Sequence, residues 1–305
     1  MPKFFIKESV LINTHPASVY DKVADFNHWT VWSPWLIMEP EATVTVKDGG
    51  KSYAWEGDRV GSGGMKVTGE DGKSWVDYDL DFIKPFKSHA KVRFELTPRG
   101  EQTETTWLMD SSLPFFLFFM TRSMTAYISQ DYRRGLAMLK DYVEQGDVGS
   151  RLEIVGETVE AGFDYLGFNR ECTISSINEA MDAAFKQLWE AWANAKLEPS
   201  GPPFSLYHKF DPVNDQVSFT VGVPCQSSTK PPAGLSAGRV EAGPVYAIRQ
   251  IGSYRHIGNA WALGYNLIQN KQFKPQKKKY TYEVYVNDPE QTPESELITE
   301  IRFPL

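Results

Sequence analysis

The chain has 305 residues, of which 41% are hydrophobic and 13% aromatic, enough apolar material for two packed domains and too much for a disordered protein. Its net charge of −7 gives no general attraction to nucleic acid or to an anionic membrane, and it makes a cation the easier charged ligand. Two cysteines, Cys172 and Cys225, are too few for a disulfide framework or a zinc site; we expect free thiols, with one disulfide between them as the alternative.

The first half of the chain predicts a short helix, a series of strands and a long closing helix. Residues 4–12 alternate like a strand, and Thr14-His15-Pro16 is typical of a helix start. Asp71-Gly72 is the strongest hairpin signal, and the long helix is predicted over residues 121–144. The strand-like segments are residues 41–47, 52–57, 64–70, 74–82, 91–97 and 104–110. This order predicts an α+β domain over residues 1–146, in which a curved antiparallel sheet wraps a helix.

The most apolar run of the chain, residues 113–120, is too short to span a bilayer, which needs about 20 helical residues. We expect a core segment or a pocket lid there, with membrane contact as the alternative. Met1-Pro2-Lys3 leads directly into a strand-like segment and not into an apolar signal sequence, so the sequence predicts a cytoplasmic protein.

The second half, residues 151–305, contains the same unit twice. Each copy predicts a strand, a helix and two strands that join around an Asp-Pro turn. A unit that cannot cover its own apolar face packs against its copy, and the seam between the copies is a natural place for a pocket. The matching segments are Val159-Glu160-Ala161-Gly162 with Val240-Glu241-Ala242-Gly243, residues 184–189 with 260–265, and Phe210-Asp211-Pro212 with Asn287-Asp288-Pro289.

Glu283 is a lone carboxylate in an aromatic strand of the second copy, at the position where Leu206 stands in the first. The alternation of a strand places Glu283 and Tyr285 on one face and Tyr282 and Val284 on the other. A buried, unpaired carboxylate is costly, so its pKa rises, and an incoming cation removes the cost. Aromatic walls add about 0.5–2 kcal/mol by cation–π attraction. We therefore predict a ligand pocket at Glu283, with an exposed strand residue as the alternative.

Aromatic residues near this strand, or at related helix positions in the two copies, are candidate walls of the pocket, and core packing is the alternative for each. Glu300, in the neighbouring strand, either approaches Glu283 or pairs with Arg302 or a lysine. The candidate walls are Phe185, Trp189, Trp261, Tyr207, Tyr254 and Tyr285.

The chain offers few signals for other kinds of site. The five histidines show no metal-ligand spacing, and no nucleophile elbow, P-loop or Rossmann fingerprint is present, so we predict no metal and no cofactor. The lysine-rich stretch at residues 271–279 predicts a solvated loop, because neither a basic helix nor interleaved aromatic residues accompany it. We therefore predict no nucleic-acid partner.

Three segments of the first half, residues 29–35, 53–65 and 131–140, carry a resemblance to a known superfamily. With them the first half resembles the SRPBCC superfamily of START-like and polyketide cyclase-like domains over nearly its whole length. The resemblance implies a helix-grip fold whose cavity, between the sheet and the C-terminal helix, takes lipids, steroids and other apolar molecules. The side chains that either line such a cavity or form the core are Trp55, Trp75, Trp107, Phe115, Phe118 and Tyr127.

The second half carries matching motifs at residues 204–208, 221–224 and 252–257, and above all at residues 282–289 followed by 300–305. With these motifs it resembles the GyrI-like, or AraC-type effector-binding, small-molecule domain. In that family a Glu at the position of Glu283 lies deep in an aromatic pocket and receives cationic, lipophilic ligands. Regulatory members join the domain to a helix-turn-helix reader, and its replacement here by an SRPBCC-like domain disfavours a transcription factor.

The leading hypothesis is a non-enzymatic small-molecule binding protein, with a sensor or sequestering role. It holds a lipophilic, cationic ligand around Glu283, and an apolar ligand is possible in the N-terminal cavity. The alternative is a hydrolase of strained or electrophilic small molecules, because some GyrI-like proteins resemble ring-opening hydrolases. In that case Glu283 is the general base or nucleophile, and Tyr207 or Tyr254 is the proton donor. An adaptor for unknown protein partners is a third hypothesis, which rests on the fusion alone.

Overall fold

The computed structural model describes residues 3–85, 87–113, 115–227 and 229–305, and the chain divides into two compact units, Met1–Gly149 and Ser150–Leu305. Each unit combines one antiparallel sheet with helices, so the α+β class predicted from the sequence is confirmed. No helix in these ranges is both long and apolar enough to cross a membrane.

The described residues of the N-terminal unit form a seven-stranded sheet and three α-helices. In chain order its elements are β1 (Lys3–Ile12), α1 (Pro16–Ala24), α2 (Trp29–Trp32), β2 (Thr43–Lys47), β3 (Ser52–Gly57), β4 (Gly61–Glu70), β5 (Trp75–Lys84), β6 (Ser88–Arg99), β7 (Gln102–Ser112) and α3 (Thr121–Gln145). The strand order β1-β7-β6-β5-β4-β3-β2 makes the first and last strands neighbours. The predicted hairpin at Asp71-Gly72 joins β4 to β5, and α3 packs against β1 and β7.

Aromatic side chains of the protein itself fill the space between this sheet and α3. The Trp107 ring stacks on Tyr132 of α3, with ring centroids 3.9 Å apart, and on Phe94 at 5.0 Å. Gly135 permits this approach, because a Cβ at that position would lie 2.8 Å from the Trp107 ring. The indoles of α2 complete a core whose packing depends on edge-to-face and stacked rings.

The residues predicted either to line an N-terminal cavity or to form its core lie in different environments. Trp107 is buried, Trp55 and Trp75 are partly buried, and Phe118 and Tyr127 are exposed. The side chain of Phe115 lies outside the described part of the chain. These residues therefore do not share one environment, and Trp107 is a core residue.

In the C-terminal unit, the part of the chain that the structure describes forms an eight-stranded antiparallel sheet and two α-helices. In chain order its elements are β8 (Ser150–Glu160), β9 (Phe163–Cys172), α4 (Ile177–Asn194), β10 (Phe204–Asp211), β11 (Gln216–Cys225), β12 (Ser236–Val240), β13 (Gly243–Gly252), α5 (Ile257–Gln269), β14 (Tyr282–Tyr285) and β15 (Ile298–Pro304). Helix α4 packs against β9 and β11, and α5 packs against β13 and β15.

The strand order of this sheet, β12-β9-β11-β10-β14-β15-β13-β8, shows the duplication directly. Counted inward from the two edges, β9 corresponds to β13, β11 to β15 and β10 to β14. A pseudo-twofold axis therefore passes between β10 and β14, where the two copies meet. One further strand precedes each copy, and these strands, β8 and β12, form the two edges of the sheet.

The sheet curls strongly on the face that the helices leave free. Only Glu241 and Ala242 separate β12 from β13, although these strands hold the first and seventh positions of the sheet. A flat sheet would place them about 29 Å apart, whereas this link reaches at most about 11 Å. The curl encloses a second apolar cluster, formed by Tyr165, Phe204, Leu206, Val240, Tyr282 and Val284.

The alignment of Leu206 with Glu283 is wrong by one residue. A β-bulge between Tyr207 and Lys209 adds one residue to β10, so an alignment made at the Asp-Pro turn is out of step further upstream. Leu206 packs on the curled face with Tyr282. Ser205 lies directly opposite Glu283 and shares its face.

Candidate functional site

Glu283 lies at the seam between the two copies, in the four-residue strand β14. Its side chain is only 3% exposed and points to the face that carries the helices. The prediction that Tyr285 shares this face is confirmed, because the Tyr285 hydroxyl donates a hydrogen bond to Glu283 Oε2 at 2.7 Å. Tyr282 points to the other face, where its hydroxyl donates to Glu160. The pattern of alternation therefore brings the carboxylate under the helices.

Three hydrogen-bond donors converge on the Glu283 carboxylate. The Trp261 indole Nε1 donates to Oε1 at 2.5 Å, Tyr285 donates to Oε2, and the Tyr207 hydroxyl is the third partner. These donors lower the pKa of Glu283, but burial outweighs them and raises it above its usual value of 4.5. Within the described ranges no lysine, arginine or histidine forms an ion pair with this carboxylate. The site therefore holds a buried acid that lacks a cation.

The tyrosine hydroxyls around Glu283 are neutral donors. Burial raises the pKa of Tyr207 and of Tyr285 well above 10, and the nearby Glu283 charge raises both further. Burial also raises the pKa of Tyr254. Hydroxyls with such pKa values keep their protons at neutral pH. They therefore donate hydrogen bonds to the carboxylate as neutral groups and add no negative charge beside it.

The aromatic residues predicted as pocket walls form a box around the carboxylate. The Trp261 ring meets Tyr207 edge to face at 4.9 Å, and Phe185 of α4 meets Tyr285 in the same way at 5.4 Å. Tyr254 lies beside Tyr285, with ring centroids 5.5 Å apart. The structure thus brings these five predicted residues together, although Tyr254 reaches Glu283 only through Tyr285.

Trp189, also predicted as a pocket wall, lies apart from this box. Its side chain is 40% exposed, one helical turn beyond Phe185 in α4, and none of the described ring contacts joins it to the Glu283 group. Trp192 is buried in the core under α4. Phe185 and Trp189 therefore have different surroundings although they lie one turn apart on α4.

Glu300 does not approach Glu283. It lies opposite Val284 and so projects from the other face of the sheet. There it forms ion pairs with Arg249 at 2.7 Å and with Arg302 at 2.8 Å, and these guanidinium groups hold its pKa below the usual value although burial raises it. Of the two alternatives for this residue, pairing with Arg302 is the one observed.

Two residues of the site were absent from the prediction. Ser205 forms a hydrogen bond with the Tyr285 hydroxyl at 3.0 Å, and the Phe303 ring lies 5.7 Å from Trp261. Only the pairing of β10 with β14 reveals Ser205, because nothing local in the sequence marks a serine as the residue opposite a carboxylate.

No three His, Cys, Asp or Glu side chains in the described ranges are grouped to hold a metal ion. Cys172 and Cys225 are both free thiols, as expected. The polar chemistry of the C-terminal seam thus rests on the carboxylate, the hydroxyls and the indole N–H.

Solved structures of other proteins show a likeness to part of this chain. SAV2435 bound to tetraphenylphosphonium is 14% identical over 48% of this chain and 91% of its own, with a TM-score of 0.39. Protein MLL2253 from Mesorhizobium loti is 14% identical over 47% and 99%, with a TM-score of 0.38. EcmrR in a DNA complex is 14% identical over 61% and 68%, with a TM-score of 0.39. No curated protein matches the sequence significantly.

Two family models match the chain, one in each half. Residues 4–144 match polyketide cyclase / dehydrase and lipid transport, and residues 157–305 match the GyrI-like small molecule binding domain. Their order is the one that the sequence motifs predicted. The chain therefore consists of a domain of the polyketide cyclase / dehydrase and lipid transport family followed by a domain of the GyrI-like small-molecule-binding family.

Proposed function

We propose that the C-terminal domain binds lipophilic cations at Glu283 and that the protein acts as a sensor or a sequestering protein. The observation that carries this proposal is a buried carboxylate inside an aromatic box, with a raised pKa and no cationic partner among the residues that the structure describes. Such an acid costs free energy that a bound cation recovers, and the faces of Trp261 and Tyr207 add cation–π attraction.

The contacts in the structure define what a ligand has to displace. The Glu283 carboxylate accepts hydrogen bonds from the indole N–H and the two tyrosine hydroxyls, and the residue is only 3% exposed. A cation that reaches it therefore moves at least one of these donors, and Trp261 and Tyr207 are both partly buried, whereas Tyr285 is buried. Ligand binding should accordingly change the fluorescence of this tryptophan.

The test is a titration with rhodamine 6G, a fluorescent lipophilic cation, followed by anisotropy. Glu283→Gln keeps the shape of the side chain and removes its charge, so we expect a loss of affinity of about tenfold or more. Glu190→Gln, an exposed residue of α4, makes the same charge change elsewhere and should leave binding unchanged. Equal affinity in the wild type and Glu283→Gln would refute the proposal.

A second function, hydrolysis of strained or electrophilic small molecules, is favoured by one specific contact. The Glu283 carboxylate, whose pKa is raised, bonds directly to the hydroxyls of Tyr207 and Tyr285, which is the arrangement of a general base beside proton donors. Tyr254 lacks this direct contact, so Tyr207 is the better proton donor of the two that the sequence suggested. Product formation from an epoxide or cyclopropane panel, abolished by Glu283→Gln, would support this function.

An apolar ligand in the N-terminal domain stays a prediction. The stacked rings of Trp107 and Tyr132 occupy part of the space between the sheet and α3 where such a ligand would bind. The family match supports small-molecule binding by this domain only at the level of the family.

A further inference from the structure

A cavity of about 150 Å³ lies on the curled face of the C-terminal sheet, on the side opposite to Glu283. Leu206, Val245 and Tyr282 give it apolar walls, and Lys278, Lys279 and Arg239 bring cationic groups to it. This cavity shares no lining residue with the aromatic box, because neighbouring residues of β14 point to opposite faces. It is therefore a separate candidate site.

Lys279 is the most informative residue of this cavity. Its side chain is partly buried, and its Nζ lies against the bare backbone of Gly243, 3.3 Å from where a Cβ on that glycine would stand. Within residues 3–85, 87–113, 115–227 and 229–305, neither Lys278 nor Lys279 takes part in an ion pair. An ammonium group at the edge of an apolar cavity, without a carboxylate partner among the described residues, can pair with an anionic group of a ligand.

The other charges at the cavity leave it electropositive. Arg239 forms an ion pair with Asp164 at 2.8 Å and a longer one with Glu241 at 3.8 Å. Glu241, the acidic residue of the lining, is largely exposed and already faces this guanidinium. The two lysines therefore remain as the cationic groups available to a ligand.

The size of the cavity limits the ligand. A cavity of this volume accommodates a molecule of about the size of benzene. Its walls are apolar, and the charged lining groups that form no ion pair within the described residues are the ammonium groups of Lys278 and Lys279, which attract an anion. We propose that this cavity binds a small organic monocarboxylate, with its ring or branched chain against Leu206 and Tyr282 and its carboxylate at Lys278 and Lys279. This site goes beyond the proposed cation site and does not depend on it.

The test is a titration of the full-length protein with benzoate, followed by ligand-observed NMR up to about 10 mM, because ligands with so few atoms bind weakly. Lys278→Gln/Lys279→Gln should weaken benzoate binding about tenfold or more, since it removes both charge-assisted contacts. The matched control is Lys271→Gln/Lys274→Gln, which makes the same charge change in the same lysine-rich stretch outside the cavity. It should leave the affinity unchanged.

Two further measurements fix the chemistry and the place of binding. Benzamide has the shape of benzoate without the charge, so its affinity should be lower by about tenfold or more. Glu283→Gln should leave benzoate binding unchanged, which separates this site from the cation site. Absence of benzoate binding, equal binding of benzamide, or equal losses in the two double-lysine variants would overturn the proposal.

Discussion

The two copies of the C-terminal repeat meet at β10 and β14, and their side chains there are alike in shape but different in chemistry. Each copy places one tyrosine at the seam, Tyr207 in the first and Tyr285 in the second. Each tyrosine meets an aromatic ring from the helix of the other copy edge to face, Trp261 at 4.9 Å and Phe185 at 5.4 Å. The packing is thus nearly symmetric.

The difference lies in one polar pair. Where the second copy has Glu283, the residue opposite in the first copy is Ser205, and where α5 has an indole N–H, α4 has the ring of Phe185. Two carboxylates on directly opposite positions of a buried strand pair would repel each other. A duplicated fold therefore gains a single acidic site by departing from symmetry at one copy, and we expect one cation for each chain.

The largest expected effect comes from making the two copies alike. Glu283→Ser should weaken rhodamine 6G binding about 100-fold, since it removes the buried charge and its reach toward the aromatic walls. Adding Ser205→Glu places the carboxylate on the opposite strand, between the same two tyrosines. This double variant should bind rhodamine 6G with an affinity within about tenfold of that of the wild type. Anisotropy titrations of the two variants test this.

The affinity of the double variant decides whether the two sides of the seam are functionally equivalent. If the double variant folds, with a far-UV spectrum like that of the wild type, and still binds as weakly as Glu283→Ser, the seam is not functionally symmetric. In that case residues outside the pair, such as Trp261, determine where the cation binds.

The next effect is on stability. Trp261→Phe makes α5 resemble α4 and removes the indole N–H from a buried carboxylate, so we expect a loss of about 1–3 kcal/mol in the free energy of unfolding. Trp192→Phe is the matched control, because within the described residues the Trp192 Nε1 is buried without a hydrogen-bond partner. Urea denaturation should show the smaller loss for Trp192→Phe, and equal losses would mean that the Trp261 hydrogen bond adds nothing.

A third, smaller effect is the pH dependence of stability that the second copy alone provides. The folded-state pKa of Glu283 lies above the usual 4.5, so the folded protein holds this proton more tightly than the unfolded chain does. The resulting contribution to the free energy of unfolding is fully present below about pH 4.5 and is lost as the pH rises through the folded-state pKa. Glu283→Gln removes this dependence, and the variant should therefore gain stability relative to the wild type as pH rises. Urea denaturation of both proteins from about pH 4 to about pH 9 measures the difference. Parallel curves would show that the carboxylate is solvated.

Local patterns in the sequence were sufficient to predict some of the residues at the seam. Alternation in β14 placed Glu283 and Tyr285 on one face, and helical spacing placed Phe185 and Trp261 at related positions, because both periods are properties of the backbone alone. The duplicated segments predicted a seam, and the structure has one between β10 and β14.

The sequence could not predict what depends on distant pairing. The bulge after Tyr207 moved Leu206 to the other face and put Ser205 opposite Glu283, and no local signal marks a bulge of this kind. Trp189 lies four residues from Phe185 and so shares its side of α4, but how far the helix extends over the seam is set by tertiary packing. The same holds for Glu300, whose face follows from its pairing with Val284.

The smallest expected effect distinguishes the two tyrosines. Tyr207→Phe removes one donor from Glu283, and a loss of about 1 kcal/mol is expected. Tyr285→Phe removes a donor at 2.7 Å and also the partner of Ser205 at 3.0 Å, so it should cost more. Chemical denaturation of each variant, alone and combined with Ser205→Ala, forms a double-mutant cycle. The cycle separates the contribution of the hydrogen bond to Glu283 from that of the hydrogen bond to Ser205.

If the excess cost of Tyr285→Phe disappears in the Ser205→Ala background, it comes from the lost hydrogen bond between Ser205 and Tyr285. The remaining cost should then equal that of Tyr207→Phe, because each tyrosine gives one hydroxyl to the same carboxylate. A remaining difference would instead mean that the carboxylate favours the tyrosine of its own strand, and that the departure from symmetry extends beyond the pair formed by Ser205 and Glu283.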